Sequence, residues 1–538
     1  MTVLKFSLDR LARPCMLGLL STALLYSSAQ AAEPAPIADG GSLTVLSNSA
    51  INSLNPALQS GVATAVPASQ LFASLLTADA QWHFHPYLAD SWVKSDDGLA
   101  YTFKLNPKAL FHDGQPITSR DVAFSIMTVK QYHPFGKSMY ANLDKVETPD
   151  PHTVVVKFAK PNPAFLLEIS TPALLPVLPE HVYGKGPIRE NPHNNQPIGS
   201  GPFKFASYKP GQYLTLEKFK RFFLGAPHLD KITYVIIKDP NAATLALQRG
   251  EVQYLAYSPL RLSEDARLAK NPKLELTHSG DEGAGALVFL DFNLVEPGPL
   301  QNIKVRQAIS YAIDRNFITQ KMQGGQTQPA YGPIHPASPF YDQSLNHYDL
   351  DLAKADKLLD EAGYPKKADG TRFELRLDYV LTTPDISQNV AEYLRPQLKK
   401  VGIKVNLRPA PDFPTWAKRV SNYDYDLNVD LTYNWGDPVI GVARTFASTN
   451  IRKGIVWANM SGYKNPKVDE LLEQAAVEND PAKRKQQYFE FQQIVNRELP
   501  VAWLTTRPID TIQSRKLRNL PSSIWGALQP FNQVGWAK

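Results

Sequence analysis

Alternation with a period of two marks strands along much of the chain. Tyr101-Thr102-Phe103-Lys104-Leu105, residues 153–158, residues 232–237 and Val405-Asn406-Leu407 are rich in β-branched or aromatic side chains. Several alternate apolar with polar positions, as half-buried strands do. A different spacing predicts helices. Val305, Ala308, Ile309, Ala312 and Ile313 fall at i, i+3, i+4, i+7 and i+8, on one apolar stripe. Leu352, Ala355, Leu358, Leu359 and Ala362 make a second stripe, ended by Gly363 with Pro365 just beyond. Asn465-Pro466 sets a cap and a first-turn proline ahead of Val468, Leu471, Leu472 and Ala475, and Asp480-Pro481 repeats this before Tyr488, Phe491 and Val495. These stripes predict packing helices. The mixture predicts an α/β fold, and the 44 scattered prolines predict many fixed loops between short elements.

The apolar run at residues 16–26 has another meaning. Lys5, Arg10 and Arg13 precede it, and Ala29-Gln30-Ala31 follows with small residues where a signal peptidase reads. Spanning a bilayer takes about 20 apolar residues, so the run is too short for an anchor. Residues 1–31 are expected to be a cleaved signal peptide, releasing a soluble protein into a periplasm. Cys15 is the only cysteine, and Ala12-Arg13-Pro14 ahead of it does not form a lipid-attachment box. Cleavage after Ala31 leaves no cysteine, which excludes disulfides, thiolate metal sites and a cysteine nucleophile.

The remaining chain is too long for one core and predicts two or three domains. The formal net charge is +6. Removing the signal takes away three positive charges and one negative, leaving about +4, weak over this length. With no Lys/Arg block and no basic-aromatic run, nucleic acid binding is not expected. Catalytic signatures are also missing. The eleven histidines include no His-Glu-x-x-His helix, Gly199-Ser200-Gly201 lacks the spacing of a nucleophile elbow, and there is no P-loop. His83-Phe84-His85 can set two imidazoles on one strand face; a polar loop before Pro86-Tyr87-Leu88-Ala89 is the simpler reading. A hydrolase built on paired carboxylates leaves no local signature and stays the competing class.

Two segments carry more information than the rest. One runs over residues 111–125 and begins Phe111-His112-Asp113-Gly114-Gln115-Pro116; the other is Val305-Arg306-Gln307-Ala308-Ile309-Ser310-Tyr311-Ala312-Ile313-Asp314-Arg315. Around them, in order, stand Pro86-Tyr87-Leu88-Ala89-Asp90-Ser91-Trp92, Pro197-Ile198-Gly199-Ser200-Gly201-Pro202-Phe203, Gly250-Glu251-Val252, Phe292-Asn293, Val401-Gly402-Ile403 and Gly462-Tyr463 with Asn465-Pro466. This series resembles the family 5 extracellular solute-binding proteins, which deliver peptides, nickel chelates, opines and related solutes to ABC importers.

The resemblance implies a two-lobed periplasmic binding protein fold of type II, in its three-domain form (cluster C-like), with the ligand cleft between lobes. By analogy the first lobe comprises residues 32–73, 200–275 and 512–538, an extra domain spans 74–199, and the second lobe spans 276–511. It further implies a monomer with no cofactor and no enzymatic activity, an ABC importer permease in the inner membrane as partner, and a small-molecule or peptide solute. A sensory role on the same fold stays open. Asp113-Gly114 suits a turn and Thr118 or Ser119 a helix cap. Arg306 and Arg315 are expected to form ion pairs between lobes.

The recognition loop departs from the family pattern. In peptide-binding members an acidic residue four positions before a proline pairs with the ligand ammonium group. In Tyr433-Asn434-Trp435-Gly436-Asp437-Pro438 that position is Asn434, a neutral amide. Dipeptide binders also carry an arginine for the ligand carboxylate in the segment matching Leu381-Thr382-Thr383-Pro384-Asp385, and none occurs there. A different peptide register and a different solute, such as an opine or a sugar-amino acid conjugate, both fit; a nickel chelate fits less well. The expected cleft residues are Tyr433, Asn434, Trp435, Asp437 and Arg444, with Ser60 and Gly61 from the first lobe. Trp435 is either a stacking surface or packing. Arg444 is expected to meet an anionic group, or else to pair with Asp437.

Overall fold

The alternating segments form strands, and the strands gather into two central sheets with a third beside them. The computed structural model describes residues 36–47, 51–381 and 383–538; the expected signal peptide, 1–31 with Cys15, lies outside the described residues. Residues 37–538 make one compact unit. Among the described residues no helix is long and apolar enough to cross a membrane.

The first sheet has seven strands, in the order Leu274–Thr277, Thr511–Ser514, Tyr254–Leu255, Ser42–Ser47, Lys231–Ile236, Tyr213–Lys218 and Phe203–Lys209. Ser42–Ser47 runs parallel to both neighbours. The second sheet has five, in the order Ile403–Ala410, Phe373–Val380, Leu427–Tyr433, Ala286–Phe292 and Val501–Arg507. Ala286–Phe292 is buried at every position, which explains its near-continuous apolar sequence. A four-stranded antiparallel sheet, Ala89–Lys94, Ala100–Leu105, Thr153–Phe158 and Leu143–Asp150, lies with helix Ser119–Tyr132 beside the first.

The cores divide the same way. Phe103 and Phe165 of the four-stranded region share one buried cluster with Leu43 and Val45 of the seven-stranded sheet. A separate cluster around Leu287, Ile309 and Leu377 fills the second lobe. Two connections join the lobes. Residues 278–285 lead out of Leu274–Thr277 into Ala286–Phe292, and residues 508–510 lead back from Val501–Arg507 to Thr511–Ser514. They run side by side, since Ala286 pairs with Arg507. Two independent cores on paired crossings are the architecture of hinge closure.

The helices start and stop as their sequence signals require. Asn465 accepts from the Lys467 and Val468 N–H groups ahead of Pro466–Ala475, and Asp480 does the same ahead of Pro481–Glu498. The helix Leu352–Glu361 ends before Gly363, which turns left-handed at φ 86°. At the start of Ser119–Tyr132, the Thr118 N–H and hydroxyl both donate to Asp121 Oδ2 at 2.8 Å. Ser200 is buried, donating to the Val177 carbonyl and accepting from the Ala73 N–H, both at 2.9 Å. His83 and His85 both reach Asp79 Oδ2, at 3.2 and 2.9 Å.

One expectation fails. Among the described residues, Arg306 and Arg315 make no ion pairs between lobes. Arg306 donates to the carbonyls of Leu300, Gln301, Glu498 and Leu499. Arg315 donates to those of Ser310, Tyr348 and Trp503. Arg306 satisfies carbonyls at the ends of Pro299–Gln301 and Pro481–Glu498, while Arg315 reaches a helix end at Ser310, a loop at Tyr348 and the strand carbonyl of Trp503.

Candidate functional site

Between the lobes lies a chamber of about 520 Å³. The first-lobe side contributes Ser60, Gly61 and Phe135; the second contributes Asp430, Thr432, Tyr433, Trp435, Arg444 and Trp457. Gly61 precedes helix Val62–Leu71, and a Cβ built on it meets no atom within 4 Å. A larger space of about 800 Å³ adjoins the chamber, sharing Ser60, Phe135, Arg444 and Trp457 as walls. Arg444 therefore stands where the two spaces meet.

The lobes are closed on each other. The Trp435 ring sits 5.6 Å from Phe135, and the Arg444 guanidinium lies 5.0 Å from the centre of the same phenyl ring, a cation–π contact. Asp385 Oδ2 accepts from the Leu262 N–H of the first lobe at 3.0 Å. Asn479 accepts from Lys94 Nζ at 2.9 Å and donates to the Asp97 carbonyl at 3.0 Å.

The strand Leu427–Tyr433 alternates Leu427, Val429 and Leu431 with Asn428, Asp430 and Thr432. This alternation sends its polar side chains to one face. Asn428 Oδ1 accepts from the Trp416 indole at 2.8 Å, while its Nδ2 is buried without a partner. Asp430 and Thr432 each leave an atom in the same state. Asp430 Oδ2, Thr432 Oγ1 and the Trp457 indole nitrogen are buried without a hydrogen-bond partner in the protein. Three such atoms around one cavity are unusual, because buried polar groups are nearly always paired.

Burial pushes the Asp430 carboxyl up to about 7, against the pull of the Leu431 N–H, the neighbouring Trp457 indole and the Arg444 charge. Trp457 stands close enough to favour the carboxylate, but not in hydrogen-bond geometry. Burial likewise pushes Arg444 down to about 10, partly offset by Asp430. The guanidinium is thus charged at neutral pH. Its Nε donates to the Gly441 carbonyl at 3.2 Å, and among the described residues no carboxylate comes within ion-pair distance of it. Trp435 and Trp457 both have left-handed backbones, φ 54° and 55°. This conformation is rare for bulky side chains and concentrates at functional sites.

Of the residues expected from the sequence, Ser60, Gly61, Tyr433, Trp435 and Arg444 line the chamber. Trp435 does so while 6% exposed and packed on Phe135 and Tyr433. Asn434 and Asp437 are corrections. Asn434 Oδ1 accepts from the His335 N–H at 2.6 Å, and its Nδ2 donates to the Pro333 carbonyl at 3.2 Å. Gly285, left-handed at φ 54°, permits the close approach, since a Cβ there would come within 3.0 Å of Asn434 and 3.1 Å of His335. The side-chain amide fastens the loop to residues 333–335 and, only 3% exposed, does not line the chamber. Asp437 does not pair with Arg444 either; Arg484 takes it. In residues 383–388 Thr383 and Ser387 line the chamber, while Asp385 serves the contact between lobes. Sequence reasoning missed Asp430, Thr432, Trp457 and Phe135. The first two were detectable as polar positions alternating along a strand that leads into the recognition loop. Phe135 and Trp457 left no comparable signal.

The family model for bacterial extracellular solute-binding proteins, family 5 (middle), matches residues 83–453. The glutathione-binding protein GsiB of Escherichia coli K12 is 28% identical over 508 residues, covering 93% of this chain and 94% of the relative. The oligopeptide-binding protein AppA of Bacillus subtilis is 30% identical over 458 residues, 81% of this chain and 80% of the relative. Its structure with a nonapeptide superposes at TM-score 0.78 and 26% identity, covering 94% of this chain and all of the other. AgaA of A. tumefaciens with agropinic acid gives TM-score 0.75 at 26% identity, covering 93% and 99%. The chain belongs to the family 5 bacterial extracellular solute-binding proteins.

Proposed function

We propose that the protein is the periplasmic binding component of an ABC importer, capturing a peptide-like solute between its lobes and handing it to a permease in the inner membrane. The observation that carries this reading is the chamber of about 520 Å³ walled by both lobes, with Ser60 and Phe135 on one side and Trp435 and Arg444 on the other. A ligand held there is coordinated from both sides and released when the lobes part. Family membership favours delivery over catalysis. The glutathione of one relative and the nonapeptide of another support a peptide-like solute.

Plain dipeptides fit poorly. Asn434 is committed to His335 and Pro333, and residues 381–385 hold no arginine. Burying an ammonium and a carboxylate without partners costs several kcal/mol. The agropinic acid bound by one neighbour supports a second reading, an opine-like or sugar-amino acid conjugate. The exported protein, starting at Ala32, works as a monomer.

Native mass spectrometry of protein from its host tests this reading, followed by return of the identified solute to stripped protein. One solute per chain, recovered unchanged and raising the melting temperature, is the expected outcome. Conversion to a product would favour the hydrolase.

A further inference from the structure

The two crossings between the lobes carry a group of acids that the chamber does not use. Asp510 lies on one crossing, His278 and Asp281 on the other, and Asp265 reaches them from the first-lobe helix Leu262–Ala269. Asp265 and Asp510 are 0% and 1% exposed. Ser258 Oγ donates to Asp265 Oδ1 at 2.8 Å, and His278 Nδ1 lies 2.8 Å from Asp510 Oδ1. Asp265 Oδ2 and Asp510 Oδ2 are buried with no donor in the protein. Ionised carboxylates only accept, so these two side chains can bond to each other only while one keeps its proton. Asp281 ties the crossings together, its Oδ1 accepting from the Ile509 N–H.

Charge points the same way. Facing these acids are Ser258 and Tyr257 from the loop before the helix, Glu282 beside Asp281, and Arg507, which ends strand Val501–Arg507. Asp265, Asp281 and Asp510 thus stand against one guanidinium and one imidazole, and a single retained proton balances them. Uncompensated buried charge is costly. Burial and the Asp510 charge push the Asp265 carboxyl far above the usual carboxylate range, against the Ser258 hydrogen bond and Arg507. Burial pushes Asp281 up to about 7, against the Ile509 N–H and His278.

We infer that a proton shared by Asp265 and Asp510 is a latch on the hinge, holding the lobes closed while present and freeing them when lost. The inference rests on the lobe closure proposed above and on one further contact. The helix that carries Asp265 begins at Leu262, whose N–H donates to Asp385 of the second lobe. The bonded acids seat that helix against the crossing with its first N–H presented to the other lobe. Ionising both sets like charges side by side, drives the helix off the crossing and parts the Asp385 contact. A proton held more tightly in the closed form favours closure at low pH, and that advantage is lost as pH rises through the closed-state range of the pair. Solute release therefore quickens toward alkaline pH.

The test reads the distance between lobes. Cys15 is the only cysteine, so a chain begun at Ala32 takes spin labels only at introduced cysteines. Lys220→Cys in the first lobe and Lys399→Cys in the second place one label on an exposed position of each. Electron–electron resonance is recorded at pH 5.5, 7 and 8.5 on stripped protein and on protein still carrying the solute it was purified with. The ratio of closed to open stripped molecules is expected to fall about 10-fold over this range, the response to one proton across one pH unit. An amide donates at every pH, so Asp265→Asn and Asp510→Asn should each hold the acid distribution throughout, with melting temperatures confirming their fold. Should neither fold, Ser258→Ala, which removes a donor to the carboxylate form, must move the response to higher pH; an unmoved response overturns the latch. Two lobe distances whose populations ignore pH also overturn it while leaving closure standing, as does a wild-type response in both Asn variants. One distance in every sample, stripped or loaded, removes closure and the inference with it.

Discussion

Arg484 holds Asp437 with both terminal nitrogens, Nη1 on Oδ2 at 2.7 Å and Nη2 on Oδ1 at 2.8 Å, and each side chain is only 5% exposed. Asp437 also accepts from the Val439 N–H at 3.0 Å. One carboxylate thus caps the helix after the recognition loop and ties that loop to Pro481–Glu498. The pair also acts through space on Glu168, whose carboxyl burial pushes well above the usual range against the Asn162 hydrogen bond, with Asp437 pushing the same way and Arg484 opposing.

Removing only the cation should be severe. Arg484→Met leaves a buried, unpaired carboxylate and is expected to cost about 3–5 kcal/mol in denaturant unfolding. Adding Asp437→Asn should restore a good part of it. A single variant within about 1 kcal/mol of wild type would mean that the pair does not anchor the loop.

A second buried acid sets a pH dependence. Tyr425 Oη lies 2.9 Å from Asp291 Oδ2 and 3.0 Å from the Met460 carbonyl. Burial pushes Asp291 up to about 8, with the Tyr425 hydroxyl, which donates to it, opposing the shift and Asp430 adding to it. Tyr423 is the further titratable neighbour. A raised folded pKa gives stability that is complete below the unfolded value and lost as pH rises through the folded one. Relative to Asp291→Asn, wild type should lose up to about 1.4 kcal/mol per pH unit between roughly pH 5 and 8. Unfolding curves at pH 5.5, 7 and 8.5 check this, and parallel profiles would contradict it.

The contact between Asp385 and Leu262 joins the lobes without touching the chamber wall. Asp385→Ala should therefore speed solute release about 10- to 100-fold, as loss of one hydrogen bond to a charged group implies. The association rate should change little. Stopped-flow release of the solute retained by purified protein measures this, and an unchanged rate would remove the contact from the closure mechanism.

Local signals in the sequence read reliably wherever short-range chemistry decides the outcome. Asn465 and Asp480 cap helices because the cap needs only a side-chain oxygen within three residues, and Gly363 ends one because only its own φ matters. Arg306 and Arg315 were harder: their destination on carbonyls depends on which element ends lie nearby, information held in chain segments almost two hundred positions away. Asn434 shows the same limit within the site. Counting from Pro438 reaches Asn434, but its contact with His335 and Pro333 is a tertiary event. Asp430 was visible as a polar position in a strand, yet its unpaired oxygen appears only once the strand's neighbours are in place.

Capture by closure is tested most directly by small-angle scattering on stripped protein, with and without saturating solute identified by native mass spectrometry. The expected result is a smaller radius of gyration with solute, as Trp435 and Arg444 meet Phe135 and Asp385 meets Leu262. An unchanged radius at saturation would contradict the hinge and, with it, the assignment of the chamber between the lobes as the capture site.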